Sequence, residues 1–369
     1  MPHLSNKPSE KPMQNPPLIS IIIPSRNEEK RIGKCIETLK NQTYSNLEII
    51  IVDDSTDNTV KVIKSISGKD NRFKIIQQEK LPPGWVGKPF AVQQGSKIAK
   101  GKWLLFIDAD TYYDPKIVEK ELEHVIKDKL DMLSLIPQHL CQSFWEKVIQ
   151  PIPLAMLPAI SPLAKVNDPK SKVATAFGPF ILINKSVFDK VGGYESIKSK
   201  IADDAELANL VKTSGFRLGL ANAQTLMKIR MYENFSDIWA GWSKNIFLGM
   251  VQKRGIKSIF QRLLVLIIGL FFIFDLMIFP LIAVVTSFSI YFFTLSLAWR
   301  YIFLFSLATW LLSIFALVYT QSCYKIGRAS YAPLSLILGG IITLGIFLNS
   351  AIKTLSGKSV SWKGKKYST

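Results

Sequence analysis

The sequence is poor in cysteine. Its 369 residues contain three cysteines, Cys35, Cys141 and Cys323, which stand far apart in the chain. A disulfide framework needs an even set of cysteines, and a zinc site needs ligands at close, regular spacing. The sequence therefore indicates neither a disulfide-stapled domain nor a structural zinc site.

Acidic residues are nearly absent from the last third of the chain. After Leu263 one acid, Asp275, stands against eight bases, and the whole chain has a formal charge of +18. A nucleic-acid-binding surface would interleave bases with aromatic residues, whereas many of these bases border apolar runs. We therefore expect anionic lipid headgroups as the counter-charge, and no nucleic acid as a partner.

An apolar segment is also missing at the N-terminus. Residues 1–17 are polar and proline-rich, without the apolar core of a signal peptide. This composition predicts a disordered N-terminus, and we expect the domain that follows to stay in the cytoplasm.

Long apolar runs are concentrated in the last third. They cover residues 263–298, 301–320 and 331–352. Because about 20 residues cross a bilayer, the first run is too long for one crossing, and we expect Pro280 to divide it into a hairpin of two short helices. The sequence thus predicts three or four transmembrane helices.

The positive-inside rule favours four crossings. Bases precede the first apolar run and also follow the last, so an even number of crossings places both groups in the cytoplasm. The four-helix arrangement has one conflict with the rule, because it places Lys325 and Arg328 on the outer side.

Residues 18–107 alternate between short strands and helices. Isoleucine-rich runs at 18–23 and 47–52 flank a helical pattern formed by Ile32, Ile36 and Leu39. The alternation continues to the apolar strand that begins at Trp103. It predicts an α/β fold with a mostly parallel, twisted sheet covered on both faces.

Polar groups follow three of these strands. They lie at 24–28, at 53–55, and at Asp108 and Asp110. In an extended backbone Asp108 and Asp110 face the same way, so both can reach one divalent cation or its diphosphate. Each group alone could be a helix cap or a solvated turn. Because ligands bind beyond the carboxyl ends of such strands, the three together predict a site for a nucleotide-activated substrate.

The ordered motifs resemble the inverting family-2 glycosyltransferases, which have the nucleotide-sugar-binding GT-A fold. The resemblance covers residues 19 to about 245 and rests on PSRNEE at 24, VDDST at 52, GWVGKPFA at 84, IDAD at 107, AFGPFILI at 176, VGGYE at 191 and ADDAELA at 202. GWVGKPFA, VNDPKSKVATAFGPF and the tail SWKGKKY resemble the lipid-directed branch, which includes carotenoid-acid and hopanoid-associated enzymes.

The resemblance implies a role for each matching residue. It places the nucleoside against Pro24, Asn27, Glu28, Asp53 and Asp54, the diphosphate against Asp108 and Lys88, a Mg²⁺ or Mn²⁺ ion against Asp108 and Asp110, and the catalytic base at Asp204. Asp203 and Asp204 also open a helical pattern, where capping and the helix dipole favour acids without any catalysis. The upstream motifs favour the catalytic interpretation.

Three features depart from the family pattern. The acid pair is Asp-Asp where many relatives have Glu-Asp, and Pro179 stands where relatives often have glutamine. No Gln-x-x-Arg-Trp element follows Asp204, which argues against a processive polysaccharide synthase.

Residues 233–262 contain an apolar helical face. Phe235, Trp239 and Trp242 lie on it, which predicts a helix at the membrane interface. In an alternative, Trp242 and Lys244 line the acceptor entrance, and Asp203 lies close to the acceptor. The basic tail could brace the catalytic domain through Trp362, or could be a solvated segment attracted to lipid.

The sequence therefore predicts an integral membrane glycosyltransferase with its catalytic domain on the cytoplasmic side. It would be metal-dependent and inverting, and would transfer a sugar from a nucleotide sugar to a lipid-like acceptor. Its predicted regions are a disordered N-terminus (1–17), a GT-A domain (18–232), an interface helix (233–262), transmembrane helices (263–352) and a basic cytoplasmic tail (353–369). A polyprenyl-phosphate glycosyltransferase and a non-catalytic nucleotide-binding membrane module are the alternatives.

Overall fold

A computed structural model describes residues 15–160, 162–253, 256, 258–356, 360–362 and 365–367. The prediction of disorder for residues 1–14 lies outside the described residues.

The strands and helices alternate in the first two thirds of the chain, and helices dominate the last third. The strands are β1 (Ile19–Ser25), β2 (Leu47–Asp53), β3 (Phe73–Gln77), β4 (Trp103–Phe106), β5 (Thr111–Tyr113), β6 (Met132–Ile136), β7 (Gln138–His139), β8 (Ile181–Asn184), β9 (Leu218–Asn222), β10 (Met227–Ile229), β11 (Val360–Trp362) and β12 (Lys365–Tyr367). The α-helices are α1 (Ile32–Lys40), α2 (Thr59–Ser67), α3 (Gly87–Ile98), α4 (Ile117–Lys127), α5 (Phe144–Ile149), α6 (Pro151–Ile160), α7 (Lys185–Lys190), α8 (Asp203–Thr213), α9 (Phe235–Lys253), α10 (Ile259–Ile273), α11 (Phe279–Thr294), α12 (Leu297–Tyr324), α13 (Ala332–Leu334) and α14 (Gly340–Leu355).

These elements form two compact units. The first, which we call the sheet unit, comprises the described residues within Met1–Gln138 and Ser161–Arg230. The second, which we call the helical unit, comprises those within His139–Ile160 and Met231–Thr369. Residues 139–160, which the sequence analysis included in the GT-A domain, group with the C-terminal helices.

The sheet unit has a seven-stranded sheet in the order β3-β2-β1-β4-β8-β6-β9. The first four strands in this order are parallel, β8 runs antiparallel to both of its neighbours, and β6 and β9 are parallel. Consecutive isoleucines of β1 and β2 are buried on both faces, as expected for a sheet with helices on each side. The predicted α/β fold with a mostly parallel sheet is confirmed.

Strand register brings four chain segments to one edge of this sheet. Ser25 and Asp53 are register partners at the carboxyl ends of β1 and β2. Phe106, at the end of β4, pairs with Ile181 at the start of β8. Because β8 is antiparallel, the segment that precedes it meets the same edge as the ends of the parallel strands.

The helical unit contains long apolar helices. Leu297–Tyr324 and Ala329–Leu355 have the length and composition needed to cross a membrane, and Ile259–Ile273 and Phe279–Thr294 are shorter apolar helices.

The predicted hairpin at Pro280 is wrong. The backbone stays helical from α10 through a π-helical turn, Phe274–Ile278, into α11. Proline lacks an N–H and its ring displaces the carbonyl of the preceding turn, and a widened turn accommodates this without reversing the chain. The first apolar run therefore forms one continuous helical run. It does not supply the two separate helices that a count of four transmembrane helices requires.

Helix α9 packs within the helical unit, and Ile238, Phe247 and Val251 on it are buried. Trp242 is buried, and its Nε1–H donates to Gln150 Oε1 at 2.9 Å. This burial removes Trp242 from a predicted acceptor entrance. Trp239 packs against Gly345 of α14, while Lys244 remains partly exposed.

The C-terminal residues form a short hairpin. The backbone of β11 pairs antiparallel with β12, with Trp362 opposite Lys365. The side chain of Trp362 lies outside the described residues, so its proposed role as a brace stays a prediction.

A buried ionisable pair on α4 generates a pH prediction. Glu121 is buried, and His124 Nδ1 lies 3.2 Å from its Oε2 while His124 Nε2 lies 3.3 Å from Asp128 Oδ2. The hydrogen bond with Glu121 raises the pKa of His124 above its ordinary 6.5. The stabilisation by His124 should be complete below about pH 6.5 and lost as pH rises through the raised pKa.

We expect His124→Gln to lower the free energy of unfolding by about 1 kcal/mol below pH 6.5 and by less at higher pH, because the variant lacks the charge-assisted bond. Thermal unfolding of the full chain in detergent, measured for both proteins between pH 5.5 and 8.5, tests this. A difference that stays constant over this range would contradict it.

Candidate active site

The loops that follow β1 and β2 are joined through Asp53. This carboxylate is buried; its Oδ1 accepts from Ser25 Oγ at 2.6 Å and from Ser55 Oγ at 2.7 Å, and its Oδ2 accepts from the Ser55 N–H at 3.0 Å. The register of β1 and β2 creates this contact. Asp53, predicted to touch the nucleoside, therefore lies beneath the loops and holds them together.

A second set of bonds fixes the exposed side of the same loops. Asn27 adopts a left-handed backbone with φ of 51°, which asparagine tolerates better than most residues. Its Oδ1 accepts from the Thr56 N–H at 2.9 Å, and its own N–H donates to Ser55 Oγ at 2.8 Å. Arg26 forms an ion pair with Asp54. Asn27 and Asp54, both partly exposed, are thus presented on one rigid surface.

The Asp108 loop is tied to the segment before β8. Thr111 Oγ1 donates to the Asp108 carbonyl at 2.6 Å and is also in contact with the Tyr113 hydroxyl. The buried Tyr113 hydroxyl donates to the Pro179 carbonyl at 2.7 Å. Tyr113 therefore couples the position of the Asp-x-Asp loop to that of Gly178 and Pro179.

Three charged side chains meet around Gly178. Lys88 Nζ lies 2.7 Å from Asp108 Oδ1, and the Gly178 N–H donates to Asp204 Oδ2 at 3.0 Å. A Cβ at Gly178 would lie 2.8 Å from Lys88 Nζ and 3.1 Å from Asp108 Oδ2. Glycine is thus the residue that leaves room for this arrangement.

The charges around Lys88 shift each other's pKa. Burial alone would lower the pKa of Lys88, but the neighbouring carboxylates raise it well above its ordinary value. Burial raises the pKa of Asp203 to about 6, against the opposing effect of Lys88. Burial also raises the pKa of Asp204, which Lys88 and the N–H groups of Ala205 and Gly178 hold down. The ammonium of Lys88 therefore opposes the effect of burial on the pKa of Asp203 and Asp204.

The chemistry of the site fits a hard divalent cation held jointly with a substrate. Within the described ranges no three His, Cys, Asp or Glu side chains lie close enough to hold a metal by themselves. Asp108 and Asp110 are partly exposed, so solvent and a cation can reach them. Mg²⁺ commonly takes one or two carboxylates and completes its shell with phosphate oxygens and water.

The structure brings four of the predicted site residues of the sheet unit into contact with one another or close to it. Asp108, Lys88, Asp203 and Asp204 form one cluster. Gly178, Tyr113 and Ser25 were not predicted individually as site residues, although Gly178 stands in the motif AFGPFILI and Ser25 in PSRNEE. The predicted acceptor residues Trp239, Trp242, Lys244 and Trp362 belong to the helical unit.

Residues 20–192 match the family model described as Glycosyl transferase family 2. These residues are a family-2 glycosyltransferase domain. The predicted resemblance is confirmed, and the acid pair at Asp203 and Asp204 follows the matched segment.

Two curated relatives match beyond this glycosyltransferase domain. A 4,4'-diaponeurosporenoate glycosyltransferase of Staphylococcus aureus (strain USA300) is 27% identical over 234 residues, which are 63% of this chain and 61% of the relative. The protein of the same name from Staphylococcus haemolyticus is 26% identical over 237 residues, with the same coverage. The match therefore spans less than two thirds of the length of these relatives.

One solved structure has a similar fold over 94% of this chain. It is a mannosyltransferase from Pyrobaculum calidifontis, solved in complex with GDP-Man and Mn²⁺. The TM-score is 0.54 at 14% sequence identity, over 94% of this chain and 90% of the other. At this identity the similarity shows the fold.

The position of Tyr113 generates a prediction with a matched control. Tyr113→Phe should weaken nucleotide-sugar binding several-fold and lower stability by about 1 kcal/mol, because the Pro179 carbonyl loses its donor and the Asp108 loop loosens. Tyr112→Phe, next to it on the other face of β5 and near Lys34, should leave binding unchanged. Calorimetry with a panel of nucleotide sugars and Mn²⁺ measures both, and equal affinities in the two variants would refute the coupling.

Proposed function

We propose that this protein is a membrane-bound, metal-dependent, inverting glycosyltransferase. It transfers one sugar from a nucleotide sugar to a lipid-like acceptor at the cytoplasmic face of the membrane. The observation that carries this proposal is the cluster at Gly178, where a candidate base (Asp204), a cation (Lys88) and a candidate metal ligand (Asp108) lie within one small space.

Asp204 is positioned to act as the base. Its Oδ1 accepts from the Ala205 N–H at 2.7 Å and its Oδ2 from Gly178, which fixes the carboxylate while leaving it partly exposed. A hydroxyl or protonated carboxyl acceptor must lose its proton as it attacks the anomeric carbon, and a carboxylate within hydrogen-bond reach can take that proton. Attack from the face opposite the leaving diphosphate inverts the anomeric centre.

Lys88 and the Asp-x-Asp loop support departure of the leaving group. The Lys88 ammonium is oriented by Asp108 and by the two acids of α8, so it is ready to face the diphosphate. Asp108 and Asp110 would hold a Mg²⁺ or Mn²⁺ ion, which when bound supplies positive charge to the departing nucleoside diphosphate. The solved relative from Pyrobaculum calidifontis, which contains Mn²⁺, supports this assignment.

The donor side of the site lies on the joined loops after β1 and β2. Asn27, Glu28 and Asp54 present polar groups to a nucleoside, and Asp53 holds the two loops from below. This division of roles uses the partly exposed groups for binding and the buried carboxylate for support.

Apolar helices and a relative's name support a lipid-like acceptor. The helical unit exposes many large apolar side chains, among them Phe260 at 73% and Phe293 at 84%. The staphylococcal relatives are named for transfer to 4,4'-diaponeurosporenoate, the anion of a carotenoid acid. A polyprenyl phosphate is the second candidate acceptor, since it requires the same fold, donor and metal.

Asp204→Asn tests the base. The variant should bind nucleotide sugar with nearly wild-type affinity, because it keeps the size of the side chain, while transfer to an acceptor that must lose a proton should fall far more than tenfold. Transfer that stays within about tenfold, which is about 1.4 kcal/mol of barrier, would show that Asp204 is not the base.

Asp108→Ala and Asp110→Ala test the metal. Each should weaken donor binding in the presence of Mn²⁺ and have little further effect when a chelator is present, because their partner is the cation on the diphosphate. Calorimetric donor affinities with Mn²⁺ and with chelator give the comparison. Equal donor affinity of the wild-type protein in both conditions would remove the metal from the proposal.

The acceptor can be identified directly. Labelled donor incubated with the full chain and a membrane lipid extract should yield a labelled lipid, whose mass separates a carotenoid-type product from a polyprenyl phosphate sugar. Donor binding without turnover above background would instead favour the non-catalytic module.

A further inference from the structure

Helix α11 and the first five turns of α12 form a hairpin that is almost unburied in the helical unit. The two helices are antiparallel around the turn at Leu295, and the rings of Phe288 and Phe303 pack at 5.2 Å between centroids. Among the described side chains of this hairpin between Pro280 and Leu317, the buried ones are Ser287 and Ser306. Large apolar residues such as Phe305, 75% exposed, cover the rest.

We propose that this hairpin is the part of the chain that crosses the bilayer, and that it does so twice, with the turn at 294–297 on the far side. In this arrangement α9, α10 and α14 stay on the near side, with the exposed apolar face of α10 in the lipid interface. The inference rests on the membrane attachment in the proposed function and does not depend on glycosyl transfer.

The dimensions of the hairpin match a bilayer. At 1.5 Å per residue, the 20 residues of α12 before Leu317 rise about 30 Å, and α11 with the π-helical turn before it rises a similar distance. The hydrocarbon layer is about 30 Å thick. Each arm is therefore long enough for one crossing.

Several hydroxyl groups inside the hairpin donate to backbone carbonyls one helical turn earlier. Thr286 Oγ1 donates to the Ile282 carbonyl at 2.8 Å, Ser289 Oγ to Val285 at 2.9 Å, and Thr309 Oγ1 to Phe305 at 2.9 Å. Such bonds reduce the cost of placing a hydroxyl in hydrocarbon, where water cannot compete for it. The two buried serines also allow the close approach of helices that is usual in membranes.

Charged residues lie at both ends of the hairpin. Arg300 is the one charged residue in the sequence from 276 to 324, and it lies between Trp299 and Tyr301 next to the turn. Aromatic residues and a snorkelling arginine are typical of a membrane interface. At the other end Asp275, Lys325 and Arg328 are exposed.

Helix α14 is long and apolar enough to cross, but its packing partner α9 argues against it. Asn349 Nδ2 donates to Ser243 Oγ at 2.9 Å, and the Phe247 N–H donates to Ser350 Oγ at 3.2 Å. These contacts hold α9 beside α14. A crossing by α14 would take Asp237 and Lys244 of α9 into the bilayer, where charged side chains are unfavourable.

Helix α10 packs against α14 and therefore lies at the same depth relative to the membrane. The Phe347 ring of α14 packs against Gly269 of α10, which has no side chain to block this contact. Because α14 stays on the near side, α10 stays there with it. Two crossings then place the bases around Arg262, the loop at 325–328 and the basic tail on one side, which removes the conflict that four crossings created.

Cysteine labelling tests this topology in the full chain. In a background with Cys35, Cys141 and Cys323 changed to serine, Ser296→Cys, Ser330→Cys and Ser356→Cys place one thiol in the turn, in the loop before α13 and after α14. Ser289→Cys, in the middle of α11, is the matched control. A membrane-impermeant maleimide is applied to spheroplasts and to inverted vesicles, and donor binding confirms that each variant is folded.

We expect Ser296→Cys to react from the outside, Ser330→Cys and Ser356→Cys to react from the inside, and Ser289→Cys to be protected from both. Reaction of the Ser330 and Ser356 variants from opposite sides would show three crossings and overturn the proposal. Reaction of the Ser296 and Ser356 variants from one side, with Ser330 on the other, would show four and overturn it also. A protein that does not sediment with membranes would refute membrane attachment itself, while its donor binding and turnover would still test the proposed chemistry.

Discussion

The ammonium of Lys88 is the interaction on which the candidate site depends. It lies 2.7 Å from Asp108 Oδ1, and it also acts on Asp203 and Asp204. Without it, Asp203 and Asp204 would lose the positive charge that holds their pKa down against burial. The same cation that holds the cluster together is therefore also the one that can face an anionic leaving group.

The topology of the sheet brings these charged groups to one place. Parallel strands bring the loops after β1, β2 and β4 to one edge, and the antiparallel β8 adds the Gly178 segment to them. Hydrogen bonds through Asp53 and Tyr113 then connect neighbouring loops. The strands support the site, and the loops and helix N-termini at their ends supply its polar groups.

The helical unit is under a different constraint. Water makes exposed phenylalanine and leucine unfavourable, so a hairpin that buries so few of its side chains needs another apolar surrounding. In the proposed two-crossing arrangement the hairpin lies in the bilayer. The charged helix α9 and the helices packed on it lie outside the bilayer. Charge on packing partners thus decides between helices that look equally apolar in isolation.

The sequence by itself determined the alternation of strands and helices, the acidic strand ends and the family, because hydrophobic periodicity and local motifs are properties of neighbouring residues. Tertiary structure decided which of these groups meet. No local pattern shows that Lys88 and Asp204 approach Gly178, because they are far apart in the chain and only the β8 register joins them. Similarly, Pro280 suggested a turn, but a proline can be absorbed by a π-helical turn where neighbouring helices support the run. The burial of Trp242 was also decided in three dimensions, since its hydrogen-bond partner Gln150 lies 92 residues away.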